Sequence, residues 1–443
     1  MKKFILFNSP IFEEPTDAKE EYLSPIGLAY IATYLEKTGI EVELLDCVKD
    51  RLGVREVNEI INKAKPDFVG VNIFSQNYEL VKKIIENIQI PCECFIGGQA
   101  VKSIFDDILK WNIQNKTYII IGEAEFIISD IVSGKCEELP SNQLDNKFVY
   151  RVNKESKYFP KDLSSVSLER KYLKNEVITN HYGQKEASII TSRGCMYNCA
   201  FCGGASGLNK DVYPRVRNKE SVISEIEEIL AIYPDITSIR VLDDLFLRTP
   251  HSIDDANQIF ATFPQLTWRG MVHALTLVRA IDKIESLKKN GCKELFMGIE
   301  SGSEKIRKKI NKMGSVCDII KVAKALLENG IDLKGYFIYG FPGETKQDFE
   351  ETYKLAYGLK EISTHTPGVF RTSVFQFRPY HGTQLYEEIV QGTGLQHGAI
   401  LNSTLGQFEG RQQFNFNFGN YSAEPTEVLN EYIIKTQRLS EEF

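Results

Sequence analysis

The 443-residue sequence has no apolar run long enough to cross a bilayer. Its most apolar stretches, such as the neighbourhood of Ile119–Ile121, are strand-sized and fall well short of the ~20 residues a spanning helix needs. It has no concentrated basic block either: 53 basic against 60 acidic residues leave a net charge of −7. Phosphate backbones are bound by clustered positive surface, so nucleic acid is not an expected partner. The amino end, Met1 to Pro10, offers only Phe4–Phe7 as an apolar core, too little for a signal peptide. No tandem repeat or low-complexity tract is visible. A disulfide framework is a poor account of nine cysteines, an odd number, in a long chain without an export signal. These absences predict a cytoplasmic, globular protein with no membrane and no nucleic-acid partner. The 42% hydrophobic and 26% charged residues are ordinary for that class.

The first ~140 residues alternate short apolar runs with amphipathic stretches. Lys3–Phe7, Glu41–Leu45, Asp67–Ile73, Cys94–Ile96 and Thr117–Ile121 read as strands, and Ile26–Thr38 and Tyr78–Ile88 as helices. Alternation of this kind predicts an α/β fold with a parallel, doubly wound (Rossmann-like) sheet, whose ligand crevice lies at the strand carboxyl ends. From about 141 to 185 the periodicity weakens into a connecting segment with strand-like pieces such as Phe148–Val152. A second series then runs from 186 to 385. Its strands are Ala187–Thr191, Ser238–Leu242, Thr267–Val272, Glu294–Ile299, Gly335–Tyr339 and Arg371–Phe377. Between them lie helices at Ser221–Ile232, Ile253–Phe263, Ile281–Asn290, Cys317–Asn329 and Lys346–Leu359. Six such units predict a partial (β/α)6 barrel rather than a full one. Residues 386–443 form a small carboxyl-terminal region, rich in Gly, Gln, Asn and Phe from Gly392 to Gly419 and closing on a helix at Glu427–Arg438.

Residues 191–204 read Thr-Ser-Arg-Gly-Cys-Met-Tyr-Asn-Cys-Ala-Phe-Cys-Gly-Gly, directly after a predicted strand. Cys195, Cys199 and Cys202 have the spacing Cys-x3-Cys-x2-Cys, and three thiolates in a tight loop suit a soft metal centre. Structural zinc wants a fourth Cys or His at a matching spacing, and the next histidine, His251, is far along the chain. Three ligands for a four-iron cubane leave one iron open to an exchangeable ligand.

This segment resembles the signature of the radical S-adenosylmethionine (SAM) superfamily. The resemblance implies a [4Fe–4S] cluster whose open iron chelates SAM, reductive cleavage to a 5′-deoxyadenosyl radical, and hydrogen abstraction from a substrate. Further along, Asp243-Asp244 matches the position that contacts the methionine amino group, in a two-acid form. Gly298-Ile299-Glu300-Ser301-Gly302-Ser303 resembles the ribose-contacting motif, with Glu300 and Ser301 as the residues concerned. Gly340-Phe341-Pro342-Gly343-Glu344-Thr345 resembles the adenine-facing turn, which Gly340 opens. Phe201 and the Gly203-Gly204 pair complete the cofactor contacts of the cysteine loop. Arg378-Pro379-Tyr380-His381-Gly382-Thr383 resembles the end of the sixth strand. All fall where strands should end, which is where barrel sites assemble.

The amino-terminal half narrows the resemblance. Ser24-Pro25-Ile26-Gly27-Leu28-Ala29-Tyr30, Gly97-Gly98-Gln99 and Gly122-Glu123-Ala124-Glu125 resemble the cobalamin (B12)-binding domain fused ahead of the barrel in one radical branch. There is no histidine before His181, so a histidine ligand to cobalt from this half is absent. Ser75, ending the third strand, and Gly97-Gly98 are the candidate cobalamin contacts; the alternative is a scaffold that has lost the cofactor. The resemblance implies an enzyme acting on a small metabolite, in natural-product biosynthesis, with a flavodoxin- or ferredoxin-type electron donor. It admits cobalamin-dependent methylation, or cobalamin-free dehydration or oxidation of a sugar or aminoglycoside. RNA modification is a further alternative, though the second cysteine triad and basic tail of such relatives are not visible. A degenerate, non-enzymatic iron–sulfur partner protein is the last.

Other residues carry weaker expectations. His273, near the end of the third barrel strand, reads as either a substrate-positioning or a satisfied core histidine. Tyr336, Tyr339 and Tyr380 are candidate substrate contacts, their orientation undetermined by periodicity. Arg193 and Arg269 suit either a carboxylate ligand or a structural ion pair. Cys292 reads as a small buried apolar residue. Cys92 and Cys94 lack a third partner for an auxiliary cluster, and Cys47, Cys136 and Cys317 are isolated. The basic run Lys305, Arg307, Lys308, Lys309 and Lys312 reads as a solvated helix face, with docking of an acidic electron donor as the alternative.

Overall fold

The computed structural model describes residues 1–10, 23–174, 176–394 and 419–440. The chain divides into two units, each described by itself.

The first unit comprises Met1–Glu176, Asn209–Tyr213 and Pro379–Asn417. Its strands are β1 (Lys3–Asn8), β2 (Glu41–Asp46), β3 (Phe68–Asn72), β4 (Glu93–Gly97), β5 (Lys116–Ile121), β6 (Asn142–Leu144) and β7 (Lys147–Arg151). They form one sheet in the order β2-β1-β3-β4-β5-β7-β6, parallel except for β6 against β7. Helices α1 (Ile26–Glu36) and α5 (Glu125–Val132) cover one face, and α2 (Val54–Ala64), α3 (Tyr78–Glu86) and α4 (Val101–Ile108) the other. The near-continuous apolar strands, such as Phe4–Phe7 and Tyr118–Ile121, follow from burial on both faces. Strand order reverses at β1, so the crevice between the carboxyl ends of β1 and β3 is the expected ligand site. Two features depart from the expectation of a unit ending near residue 140. The Phe148–Val152 stretch is not a linker piece: β7 pairs with β5 over Thr117↔Lys147 to Ile121↔Arg151. Helix α13 (Gln384–Thr393) also joins this unit.

The second unit comprises Val177–Leu208, Pro214–Arg378 and Phe418–Phe443. Its sheet contains β8 (Ile178–Thr179), β9 (Lys185–Ile189), β12 (Ser238–Val241), β13 (Thr267–Val272), β14 (Cys292–Glu300), β15 (Asp332–Tyr339) and β16 (Phe370–Gln376). A separate two-residue hairpin pairs β10 (Ser192–Arg193) with β11 (Arg215–Val216), bracketing the cysteine loop. The order β16-β15-β14-β13-β12-β9-β8 gives six parallel strands, with β8 antiparallel at the edge, curled into a half-barrel. The helices are α6 (Lys219–Ile232), α7 (Pro250–Ala261), α8 (Ala274–Val278), α9 (Ile284–Lys289), α10 (Glu304–Lys309), α11 (Val316–Glu328), α12 (Lys346–Ser363) and α14 (Thr426–Arg438).

Local chemistry starts these helices. Thr249 caps α7 with Pro250 behind it, and Ser315 and Thr345 cap α11 and α12, paired with Asp318 and Asp348 three residues on. Strand parity sorts the barrel residues. Leu295, Met297 and Ile299 of β14 and Leu333, Phe337 and Tyr339 of β15 join the core shared with the helices. The alternate residues Glu294, Phe296, Gly298, Lys334 and Tyr336 take the other face. Most of the compositionally distinct segment from Gly392 to Gly419 lies outside the described residues. No described helix is long and apolar enough to cross a membrane.

Candidate active site

The cysteine loop leaves the half-barrel at β10. Asp243, at the end of β12, anchors its start: it accepts from the backbone N–H groups of Thr191 (2.7 Å) and Ser192 (3.1 Å) and from both hydroxyls (2.6 Å each). The loop is then tied to the end of α10, with Ala200 N–H donating to Ile310 O (2.9 Å) and Asn311 Nδ2 to Asn198 O (2.7 Å). Within it, Tyr197 N–H donates to Cys195 Sγ at 3.5 Å. Burial pushes all three thiols up, Cys202 to about 12.

No three described His, Cys, Asp or Glu side chains close on a single-ion site. Three thiolates in one short loop suit a cubane, which takes each at a different iron. A Cβ at Gly204 would lie 3.7 Å from Cys202 Sγ and 3.9 Å from the Asp244 carboxylate, so glycine keeps this rim low. The donor set and its cradle fit a [4Fe–4S] cluster.

Two adjacent acids divide their work. Asp243 is buried and its lone pairs are taken by four donors, so it does not present a carboxylate to SAM, contrary to expectation. Asp244 is exposed beside the cysteine loop. Protein packed round its carboxyl, and next the charge of Asp243, push its pKa above the usual carboxylate range, although much of the residue's surface is open to solvent.

The fourth strand repeats the pattern. Register shifts between Gly298 and Glu300, and Glu300 sits at φ +65°, a left-handed conformation rare for a side-chain-bearing residue. The turn aims its carboxylate at Lys312 Nζ, 2.9 Å away, with both side chains about one-tenth exposed. A Cβ at Gly298 would lie 2.3 Å from Glu300 Oε1 and 2.7 Å from Lys312 Nζ, so the pair needs glycine there. Burial lowers the Lys312 pKa, but Glu300 and Cys199 outweigh it and raise it overall. Ser301, by contrast, is buried against Thr352, the two hydroxyls 3.0 Å apart, and is structural rather than a cofactor contact.

The basic run around α10 is therefore not a uniform solvated face. Arg307 is buried and donates to the carbonyls of Ser301 (3.2 Å) and Gly314 (2.8 Å), locking the strand end, while Lys308 and Lys309 are exposed. The sequence places Arg307 and Lys312 in one basic run read as solvated, because a one-dimensional charge run does not show which side chains fold inward.

At the fifth strand, Gly340 turns at φ +94° and its N–H, with that of Phe341, donates to Glu344 Oε2 (2.7 and 2.9 Å). Burial pushes Glu344 up to about 8. Phe341 meets Phe201 edge-on at 5.5 Å and Phe377 at 5.1 Å, a buried aromatic cluster that backs the half-buried Phe201.

The tyrosines separate by parity. Tyr336 lies near Phe296 (6.3 Å) and Phe375 (6.0 Å) on the barrel's inner face. Tyr339 does not face substrate: it is buried on the helix side, its hydroxyl 2.8 Å from Thr436 Oγ1. Tyr380 falls in the first unit, where its carbonyl accepts from the Thr383 hydroxyl at 2.8 Å. Arg378 is buried just after β16. Arg269 is a structural cation between Glu186 and Glu294. His273 is not a satisfied core histidine, since its buried Nε2 meets no partner among the described residues.

In the first unit, Gly97 lies open, with only Ile120 O within 4 Å of an added Cβ, whereas a Cβ at Gly98, at φ +109°, would lie 2.6 Å from Ile73 N and O. Asn72 and Asn8 bridge β3 and β1 at the switch point, 3.4 Å apart. Ser75 is engaged by a residue 306 positions away: its Oγ takes His381 N–H (3.0 Å) and lies 2.9 Å from His381 Nδ1. His381 sits between the rings of Tyr78 (5.7 Å) and Tyr386 (4.9 Å). Sequence order hid this histidine from the unit that holds it. The polar rim and the side-chain-free Gly97 fit a large ligand edged with amides, as a corrin is.

Comparison with known proteins follows the same division. The sequence model of the Radical SAM superfamily matches residues 189–356, and that of the B12 binding domain residues 19–132. The chain belongs to the radical SAM superfamily, in the branch with an amino-terminal B12-binding domain. It is 28% identical to "Uncharacterized methyltransferase PH0819" of Pyrococcus horikoshii, over 82% of this chain and 78% of that one. It is 22% identical to the cytidylyl-2-hydroxyethylphosphonate methyltransferase of Streptomyces wedmorensis, over 83% and 78%. Among solved structures it resembles the radical SAM methyltransferase TsrM from Kitasatospora setae (TM-score 0.67, 17% identity, 99% of this chain and 89% of that one). It also resembles the cobalamin-dependent radical SAM enzyme OxsB (TM-score 0.65, 15% identity), covering 98% of this chain but only 65% of OxsB. This radical SAM protein is an enzyme, with a [4Fe–4S] cluster and SAM as the cofactors of its family.

Proposed function

We propose that this radical SAM enzyme is a cobalamin-dependent methyltransferase acting on a small molecule. The observation that carries the reading is the joining of a B12-binding unit and a radical SAM half-barrel in one chain. Relatives named as methyltransferases align with it across more than four-fifths of its length.

The cluster supplies an electron to SAM, and cobalamin a transferable methyl group, when bound. The chain's own residues bind and orient. Cys195, Cys199 and Cys202 hold the cluster. Asp244 takes the methionine ammonium, for which a carboxylate is the natural partner. Glu300, aimed by its left-handed turn and held by Lys312, takes the ribose hydroxyls. Phe201 and Phe341 flank the adenine, and the backbone at Gly340 admits it closely. Tyr336 and Phe296 line the inner face where substrate enters. In the first unit, Asn72, Ser75 and Gly97 edge the cobalamin site. The electron comes from a flavodoxin- or ferredoxin-type protein, and the substrate is a natural-product intermediate.

The test is cobalamin content per chain in protein produced anaerobically with cobalamin supplied, followed by product analysis. Near-stoichiometric cobalamin with S-adenosylhomocysteine release is expected. An intact cluster that still cleaves SAM in protein devoid of cobalamin would overturn the reading and favour dehydration or oxidation of a polyol or amino sugar.

A further inference from the structure

Among the described residues, two at neighbouring strand ends in the second unit hold buried donors that meet no acceptor. They are His273, at Nε2, and Arg248, at Nε and Nη1. The β-bridge between Leu247 and Val272 makes Arg248 and His273 the next residues along adjacent chains. A folded protein loses free energy on every buried donor left unpaired, so such a pair calls for a ligand.

The ring of His273 is fixed from both sides. Its Nδ1 accepts from Leu275 N–H at 3.2 Å, which places the proton of the neutral ring on Nε2. The ring stacks on Tyr197, with centroids 3.9 Å apart and planes 18° apart. Tyr197 in turn donates its backbone N–H to Cys195 Sγ. Arg248 approaches the same cysteine from β12. Its Nη2 is 3.7 Å from Asp243 Oδ2, a carboxylate already saturated by Thr191 and Ser192, and its charge interacts with Cys195. Arg248 is thus linked to the Cys195 side of the loop by its charge and His273 through the Tyr197 ring, and among the described residues neither set of donors meets an acceptor.

We propose that Arg248 and His273 donate hydrogen bonds to the iron–sulfur cluster at its Cys195 corner and set its reduction potential. Reduction moves one electron from the low-potential donor protein to the cluster, and no proton moves with it: His273 keeps its Nε2 proton throughout. An N–H beside cluster sulfur stabilises the added negative charge more than it stabilises the oxidised cluster, so each donor raises the potential. The two are positioning residues, acting on SAM cleavage only through the cluster. The inference rests on the cluster of the superfamily and is independent of whether the enzyme transfers methyl groups.

The experiment is an EPR-monitored potentiometric titration of the anaerobically reconstituted full chain, with iron content determined alongside. H273F and R248M are each expected to keep their iron and to shift the midpoint to a more negative potential. H273Q, whose amide returns an N–H near the position of Nε2, is expected to move it back towards wild type. Unchanged midpoints in H273F and R248M would overturn the proposal. So would an unchanged midpoint combined with weakened SAM binding, which would assign the donors to the SAM carboxylate instead. Should H273F fail to hold iron, R248M decides, because Asp243 retains its four other donors without Arg248.

Discussion

Glu344 offers a quantitative test of the turn that Gly340 opens. Its carboxyl is fully buried, accepts from Gly340 and Phe341 through Oε2, and leaves Oε1 unpartnered. Burial raises its pKa from 4.5 to about 8. The folded chain therefore binds one proton more than the unfolded chain between those two values, and stability falls as pH rises through the window. Above pH 8 the penalty of burying the anion is fully present; below 4.5 it is absent. A shift of that size amounts to about 5 kcal/mol at the limit. Glu344→Gln keeps the acceptor for both N–H groups and cannot titrate. Its stability relative to wild type should be near zero at pH 5 and favour the amide by several kcal/mol at pH 8.5, the other titrating groups cancelling in the difference. The two tryptophans make the measurement clean, because Trp111 lies in the first unit and Trp268 in the core of the second. In a Trp111→Phe background, Trp268 fluorescence during urea unfolding reports the second unit alone. Parallel pH profiles for the two proteins would refute the assignment of a protonated Glu344 at neutral pH.

The Glu300–Lys312 pair and the Asp243–Asp244 pair yield two further predictions. Lys312→Met strands a buried carboxylate and should destabilise the second unit by about 3–5 kcal/mol; Glu300→Gln strands the buried ammonium and should cost a similar amount, with the double variant recovering most of the loss. Single-variant effects below about 0.5 kcal/mol in the Trp268 assay, no larger than ordinary surface substitutions, would refute the buried pairing. Asp243→Asn replaces an acceptor of four donors with a group that can satisfy only part of them, and should lower both unfolding midpoint and iron retention. Asp244→Asn should leave both intact and weaken SAM binding about tenfold or more, the worth of one charge-assisted hydrogen bond. Equal effects of the two substitutions on iron retention would contradict that division.

The alternation of strands and helices was legible because each element carries its own periodicity, and because the parallel strands are apolar on both faces. The cysteine loop was legible because its ligands are seven residues apart at most and need no tertiary context. What stayed hidden depends on contacts distant in sequence. The stretch Phe148–Val152 reads as strand-like, but its place in the first sheet shows only when β5 supplies a partner for β7. His381 joins Ser75 across 306 residues, so a count of histidines in the amino-terminal half could not find an imidazole in that unit. Arg307 and Lys312 read as solvated charges until the end of β14 turns its carbonyls and Glu300 towards them.

Motif positions that read as equivalent pairs turn out to be unequal partners, and one cause serves for all. A residue at a strand end chooses between the inner face and the helix layer by parity, and neighbours take opposite choices. Asp243 turns back onto the loop that begins the cluster site, leaving Asp244 on the side of the cysteine loop's glycine rim. Ser301 turns to Thr352 on α12, leaving Glu300 at the site. Tyr339 turns to Phe349 and Thr436, leaving Tyr336 on the inner face. Glu300 would fall on the same face as Gly298 in a regular strand; the register shift and left-handed turn alter its aim rather than its side, bringing it to Lys312. The inward member meets ligands because the outward member holds the backbone still. Substituting the outward residue therefore perturbs the site through its geometry, and substituting the inward one through its chemistry. This is why cluster retention and SAM affinity, measured separately, discriminate between them where turnover alone would not.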